Sequence, residues 1–223
     1  MRFYKISSIE PVVDYLFQNI NERLESRQKV LWLVAGGSAI KVAAKVAKRL
    51  QTAKNLDHLI VSLTDERYGP IDHPDSNWLQ LKQAGFDLPG AKLQLVLDGK
   101  SLEETAERYS QLLADDFKTS DYRLGFIGVG PDSHIAGIKP HSPAVDSDQM
   151  AEGYKWEDFE RLTMTAKAIV MLDEVVSYMM GEAKHGVIKQ LDQELTLQDQ
   201  PAQILKKVKE VTIFNDFKGE ELR

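Results

Sequence analysis

Seven residues constrain this fold more than any others: Lys29 to Ala35 (KVLWLVA), cut off at once by Gly36-Gly37-Ser38. An unbroken apolar run of this kind, without polar alternation, must be covered on both faces, as a strand of a parallel sheet is. Beyond the glycines, Val42, Ala43, Val46, Ala47 and Leu50 recur at helical spacing. Strand, glycine turn and helix then repeat along the chain. Ile9, Val12, Val13, Leu16, Phe17, Ile20 and Leu24 form an earlier helical stripe, and Leu59 to Leu63 reads as a second strand. Ser101-Leu102-Glu103-Glu104 is a capping box opening a helix that turns Tyr109, Leu112 and Leu113 inward. Tyr122 to Ile127 is a strand ended by Gly128-Val129-Gly130. Arg161 to Thr165, Glu174 to Met179 and Val211 to Phe214 are further strands, and a helix begins at Gly181. The expected fold is α/β: a doubly wound, mostly parallel sheet with helices on both faces, Rossmann-like, in a single domain spanning 1–223.

Composition narrows the function. The chain has no cysteine, which excludes disulfides, iron–sulfur clusters and thiol catalysis. Its formal charge of −6 argues against general nucleic-acid binding, so an anionic ligand needs a local positive patch. No stretch approaches the ~20 apolar residues of a membrane helix. The N-terminal residues carry no apolar run of signal-peptide length. The expectation is a cytoplasmic protein, a monomer or small homo-oligomer, with no nucleic-acid or membrane partner.

In doubly wound sheets ligands sit at the carboxyl ends of strands, and four turns there carry chemistry. Gly36, Gly37 and Ser38 offer backbone amides, a helix N-terminus and a hydroxyl to an anion; a tight turn needing small residues explains them equally well. Thr64-Asp65-Glu66-Arg67, followed by Pro74-Asp75-Ser76-Asn77, puts three charges directly after a buried strand. Such charges are expected to face a cleft, with Arg67 gripping phosphate through its forked donors. Asp75 or Ser76 is a helix N-cap. In Gly128-Val129-Gly130-Pro131-Asp132-Ser133-His134, a histidine two residues after an aspartate has the spacing of a general base held by a carboxylate; a histidine bonded to local backbone is the plain alternative. Lys184, in Gly181-Glu182-Ala183-Lys184, opposes the macrodipole of the helix it opens, which an anion at the same end would offset. A solvated surface lysine is the plain alternative. No group of residues has metal-ligand spacing, and neither metal nor cofactor is expected.

Taken in order, these turns resemble the 6-phosphogluconolactonase/glucosamine-6-phosphate isomerase family, and its lactonase branch most. The family's Gly-Gly-Ser matches Gly36 to Ser38, its Asp-Glu-Arg matches Asp65 to Arg67, and its Pro-Asp-Ser-Asn matches Pro74 to Asn77. Its Gly-x-Gly-x-Asp-Gly-His is similar to Gly128 to His134, its Arg-x-Thr-Leu-Thr to Arg161 to Thr165, and its Gly-Glu-x-Lys to Gly181 to Lys184. The resemblance implies a small phosphorylated sugar or sugar lactone as partner. It implies metal-independent hydrolysis of 6-phosphoglucono-δ-lactone, with His134 as the base, Asp132 orienting it, and Asp65 counted with them. Arg67 and Lys184 would bind the phosphate or carboxylate end, with Gly36, Gly37, Ser38 and Ser133 as further substrate contacts.

The chain departs from the family in three places. Ser133 stands where the family has glycine, Ile135 to Pro140 replaces Thr-Ala-Ser-Leu-Phe-Pro, and Lys155 to Glu160 replaces a proline-rich segment. His134-Ile135-Ala136 is closer to the deaminase branch, but Lys139 falls where deaminases carry the glutamate that helps open the sugar ring. A deaminase, or a sugar-phosphate-binding homologue without chemistry, are the competing expectations.

Overall fold

All five residues of Val30–Val34 are buried, and they form a strand deep inside a parallel sheet. The computed structural model describes residues 1–222; Arg223, the last residue of the expected domain, lies outside the described residues. The elements in the first half are β1 (Arg2–Lys5), α1 (Glu10–Glu25), β2 (Val30–Val34), α2 (Ile40–Leu50), β3 (Leu59–Leu63), β4 (Asp65–Arg67), α3 (Asn77–Gln83), β5 (Lys92–Leu93) and α4 (Leu102–Thr119). The second half contains β6 (Tyr122–Ile127), β7 (Ala151–Lys155), β8 (Glu160–Met164), α5 (Ala166–Val170), β9 (Glu174–Met179), α6 (His185–Gln190), β10 (Glu210–Asn215) and β11 (Glu220–Glu221).

Eight strands form one sheet in the order β11-β1-β10-β9-β6-β2-β3-β5, with every pair parallel. From β2 the chain winds outward through β3 to β5, then returns to β6 on the other flank of β2 and winds outward the opposite way. Right-handed crossovers in opposite directions put helices on opposite faces. α1 and α2, which pack together, therefore cover one face, and α4 and α5 the other. The winding reverses between β2 and β6, and a crevice opens at their carboxyl ends. Of the stripe foreseen around α1, Val12, Val13, Leu16, Ile20 and Leu24 are buried, whereas Ile9, the N-cap, and Phe17 are partly buried; the stripe foreseen on α2 is buried. The capping box at Ser101 is formed with both of its hydrogen bonds.

A second, antiparallel sheet, β4-β8-β7, lies beyond the carboxyl end of β3. It corrects the reading of Thr64 to Arg67 as a turn with all its charges toward a cleft. Asp65–Arg67 is a strand, and strand alternation sends Glu66 to the opposite side from its neighbours. Glu66 is 1% exposed. It accepts hydrogen bonds from the backbone N–H groups of Arg67 (2.8 Å), Asn77 (2.7 Å) and Trp78 (3.1 Å), and from the Ser76 hydroxyl (2.9 Å). Burial pushes its pKa up, and those four donors pull against the shift. Ser76 is the N-cap of α3, accepting from the Leu79 N–H at 3.1 Å.

Candidate functional site

A cleft of about 340 Å³ opens at the reversal point. Its walls include Gly36, Gly37 and Ser38 from the turn after β2, Asp65 and Arg67 from β4, and Asn77 from the start of α3. The opposite wall carries His134, Ala136 and Lys139 from the loop after β6, Asp158 and Arg161 from the β7–β8 hairpin, and Lys184 before α6. Four cations and two carboxylates thus face one space in a protein of net charge −6. A larger groove, about 1250 Å³, runs between α4 and β7. Carboxylates (Glu103, Glu104, Glu107, Asp148 and Glu152) outnumber cations (Lys100, Arg108 and Lys167) along it.

The loop after β6 aims His134. Its Nδ1 lies 2.5 Å from Asp132 Oδ1, and Lys139 Nζ reaches Asp132 Oδ2 at 2.9 Å. Two acceptors cannot share that short contact without a proton, so Nδ1–H donates to Asp132. The lone pair of the neutral ring is then on Nε2, which has no hydrogen-bond partner among the described residues. Burial alone would raise the pKa of Asp132, but hydrogen bonds from His134 and Lys139 and their charges hold it well below the usual carboxylate range. Gly130 is a matter of space: a Cβ there would meet His134 Cε1 at 2.1 Å. The loop is wound tightly by Gly130 N→His134 O (2.9 Å), Ala136 N→Gly128 O (3.0 Å) and Gly137 N→Thr163 Oγ1 (3.0 Å). Ser133 (φ 66°) and Ala136 (φ 51°) adopt left-handed backbone in it.

The turn after β2 is also dictated by contacts. Gly37 has φ 61°, which glycine adopts without cost. A Cβ on Gly36 would meet Asn77 Oδ1 at 2.0 Å, while Asn77 Nδ2 donates to the Asp65 carbonyl at 2.9 Å. Asn77 therefore ties the glycine turn to β4. Ser38 is exposed in the cleft. Asp65 Oδ1 accepts from Thr64 Oγ1 at 2.8 Å. Arg67 Nη1 donates to the Asp75 carbonyl at 3.0 Å, and its guanidinium lies 4.7 Å above the Phe159 ring. Lys184 has no carboxylate partner among the described residues, and burial lowers its pKa. It closes a 3₁₀ turn, Glu182–Lys184, rather than sitting inside the first turn of α6. That turn is anchored by Gly181 N→Asp216 Oδ2 (3.0 Å) and by His185 Nε2 at 2.9 Å from Asp216 Oδ1.

Of the residues expected at the site, Gly36, Gly37, Ser38, Asp65, Arg67, His134 and Lys184 line this one cleft, and Asp132 stands behind His134. Ser133 does not line it, which corrects its placement among the substrate contacts. It is 2% exposed, and its carbonyl accepts from the Ala202 N–H at 2.9 Å. Asn77, Lys139, Asp158 and Arg161 were not foreseen at the cleft. Asn77 and Arg161 stand inside motifs already singled out, whereas Asp158 lies in a segment with no pattern to read.

A family model described as "Glucosamine-6-phosphate isomerases/6-phosphogluconolactonase" matches residues 6–214. The chain belongs to this family. A 6-phosphogluconolactonase of Mycobacterium leprae is 30% identical over 192 residues, covering 78% of this chain and 76% of that protein. A 6-phosphogluconolactonase of Thermotoga maritima is 28% identical over 134 residues, and this match covers 58% of the chain and only 59% of the relative. The crystal structure of a 6-phosphogluconolactonase from Shewanella baltica superposes with a TM-score of 0.81 at 19% identity, covering 96% of this chain and 97% of that one. The doubly wound sheet is therefore the fold of the glucosamine-6-phosphate isomerase/6-phosphogluconolactonase family, as the strand-and-turn pattern led us to expect. The described residues include no helix long and apolar enough to cross a membrane.

Proposed function

We propose that this member of the family is a lactone hydrolase that converts 6-phosphoglucono-δ-lactone to 6-phosphogluconate in the cytoplasm, with residues 1–223 acting as one domain. The observation that carries this reading is His134, fixed by Asp132 with Nε2 free, on a cleft that also presents Arg67 and Lys184. Nε2 takes a proton from water as the water oxygen attacks the lactone carbonyl. The carbonyl π electrons move onto oxygen, and the cleft's donors stabilise that charge. Collapse of the intermediate breaks the bond to the ring oxygen, which receives the proton back from the imidazolium. Asp132 stays ionised throughout and stabilises the imidazolium. Arg67, Lys184 and the Gly36–Ser38 turn hold the phosphate. No metal ion is assigned a step.

Lys139 separates this reading from a deaminase. Its ammonium is engaged by Asp132 and lies 3.2 Å from His134 Nδ1. It supplies no carboxylate to assist opening of a sugar ring. The test is proton release in a pH-stat from freshly made 6-phosphogluconolactone, corrected for spontaneous hydrolysis. Turnover above background is expected. Ammonia release from glucosamine 6-phosphate in place of lactone hydrolysis would overturn the reading.

A further inference from the structure

The β7–β8 hairpin brings a carboxylate of the chain itself into the cleft. Arg67 and Arg161 are direct partners in the antiparallel β4–β8 ladder, and both line the cleft. Like charges directly opposite one another are unfavourable unless an anion joins them. Asp158 neutralises one of the two: Arg161 Nη2 donates to its Oδ1 at 2.9 Å and to its Oδ2 at 2.7 Å. Both bonds leave from one nitrogen, so the fork of the guanidinium is not used. The Arg161 side chain is only 10% exposed, yet its Nε is buried without a partner among the described residues. The Phe159 ring lies 4.7 Å from the Arg67 guanidinium carbon and 5.8 Å from that of Arg161, near both.

We propose that Asp158 is a built-in stand-in for a ligand's phosphoryl group: it occupies the Arg161 half of a two-guanidinium site, and the phosphoryl group of a bound sugar phosphate takes its place. This rests on the phosphate site assigned above. The exchange favours the ligand for two reasons. Asp158 is 48% exposed on a hairpin turn, and ion pairs that open to solvent are weak. A phosphoryl dianion, by contrast, carries enough oxygens to engage Arg67 and Arg161 together through charge-assisted bonds. Arg161 thus becomes a phosphate-binding residue whose availability is set by a carboxylate three positions away. The segment Lys155 to Glu160, with no counterpart in the family's proline-rich stretch, acquires a role in ligand affinity.

Asp158→Asn tests the exchange. Asparagine keeps the Oδ1 acceptor that the Phe159 N–H uses at 2.9 Å, so the turn is retained. Calorimetric titrations of wild type and D158N use 6-phosphogluconate, glucose 6-phosphate and gluconate. Both phosphorylated ligands should bind about two- to fivefold more tightly to D158N, with gluconate unchanged. A crystal structure of the wild type with glucose 6-phosphate should have the phosphoryl group on Arg161 and Asp158 withdrawn from it. Unchanged or weaker binding of the phosphorylated ligands to D158N overturns the proposal, as does equal tightening of gluconate. So does a complex in which the Asp158–Arg161 pair is intact. A wild type that does not distinguish glucose 6-phosphate from a neutral sugar would instead overturn the phosphate site itself.

Discussion

His134 takes its orientation from a carboxylate and its room from a glycine. Asp132 holds Nδ1–H, and the missing side chain of Gly130 leaves the space that the ring fills. If Nε2 is the proton acceptor, His134→Gln should lower kcat on 6-phosphogluconolactone roughly 10²-fold or more while the circular dichroism spectrum stays that of the wild type. Unchanged turnover in the folded variant would remove His134 from the chemistry. Ser133 beside it is the opposite case, a side chain in a backbone conformation suited to glycine. Its φ of 66° costs on the order of 1–2 kcal/mol. Ser133→Gly relieves that cost but loosens the unfolded chain by about 0.4–1 kcal/mol. The net gain in a denaturant titration should be about 1 kcal/mol or less. Because Ser133 is buried and does not line the cleft, kcat/KM should hold or rise. A tenfold drop in kcat/KM, about 1.4 kcal/mol of transition-state stabilisation, would mean that the hydroxyl takes part after all.

At the scale of elements, β4 is a three-residue strand with two jobs. Its outer residues, Asp65 and Arg67, face the cleft, and its central residue, Glu66, ties the strand to the start of α3. The carboxylate meets four donors and offers only acceptors. Glu66→Gln preserves shape but turns an NH₂ group toward two of those donors. The variant should be destabilised by about 1–3 kcal/mol in urea unfolding, the cost of leaving buried groups unpaired. An unchanged midpoint would show that the strand and helix are held by packing alone. The same link explains Asn77, whose side chain lies against Gly36 and bonds to the Asp65 carbonyl, coupling three strand-end segments.

Over the whole molecule, a net charge of −6 repels an anionic substrate, and the cleft answers with Arg67, Lys139, Arg161 and Lys184. Lys139 and Arg161 are paired with Asp132 and Asp158, whereas Arg67 and Lys184 have no carboxylate partner among the described residues. Removing either should weaken 6-phosphogluconate binding. Arg67→Ala should raise Kd roughly 10- to 100-fold in calorimetry, and Lys184→Ala about tenfold, because only arginine offers two aligned donors. If Lys184→Ala bound as tightly as wild type, the buried lysine would be a structural residue.

Sequence carried the fold because its signals are local. The uninterrupted apolar run of β2 and the helical stripes of α1 and α2 each follow from burial of one short segment, and glycine turns mark where those segments end. Most of the strand-end residues were legible for the same reason, since a doubly wound sheet brings the carboxyl ends of its strands to one side. What the linear pattern did not carry depends on contacts between distant segments. Strand β4 was hidden because three charged residues have no apolar period, and Glu66 is tolerated in the interior only because α3 supplies donors to it. Ser133 has left-handed backbone, φ 66°, and its burial away from the cleft is set by the winding of the loop. The pairing of Arg161 with Arg67 arises from the register of two strands almost a hundred residues apart. Tertiary structure decided that Asp158 would lie against Arg161, because a hairpin turn, not a sequence motif, carries the carboxylate there.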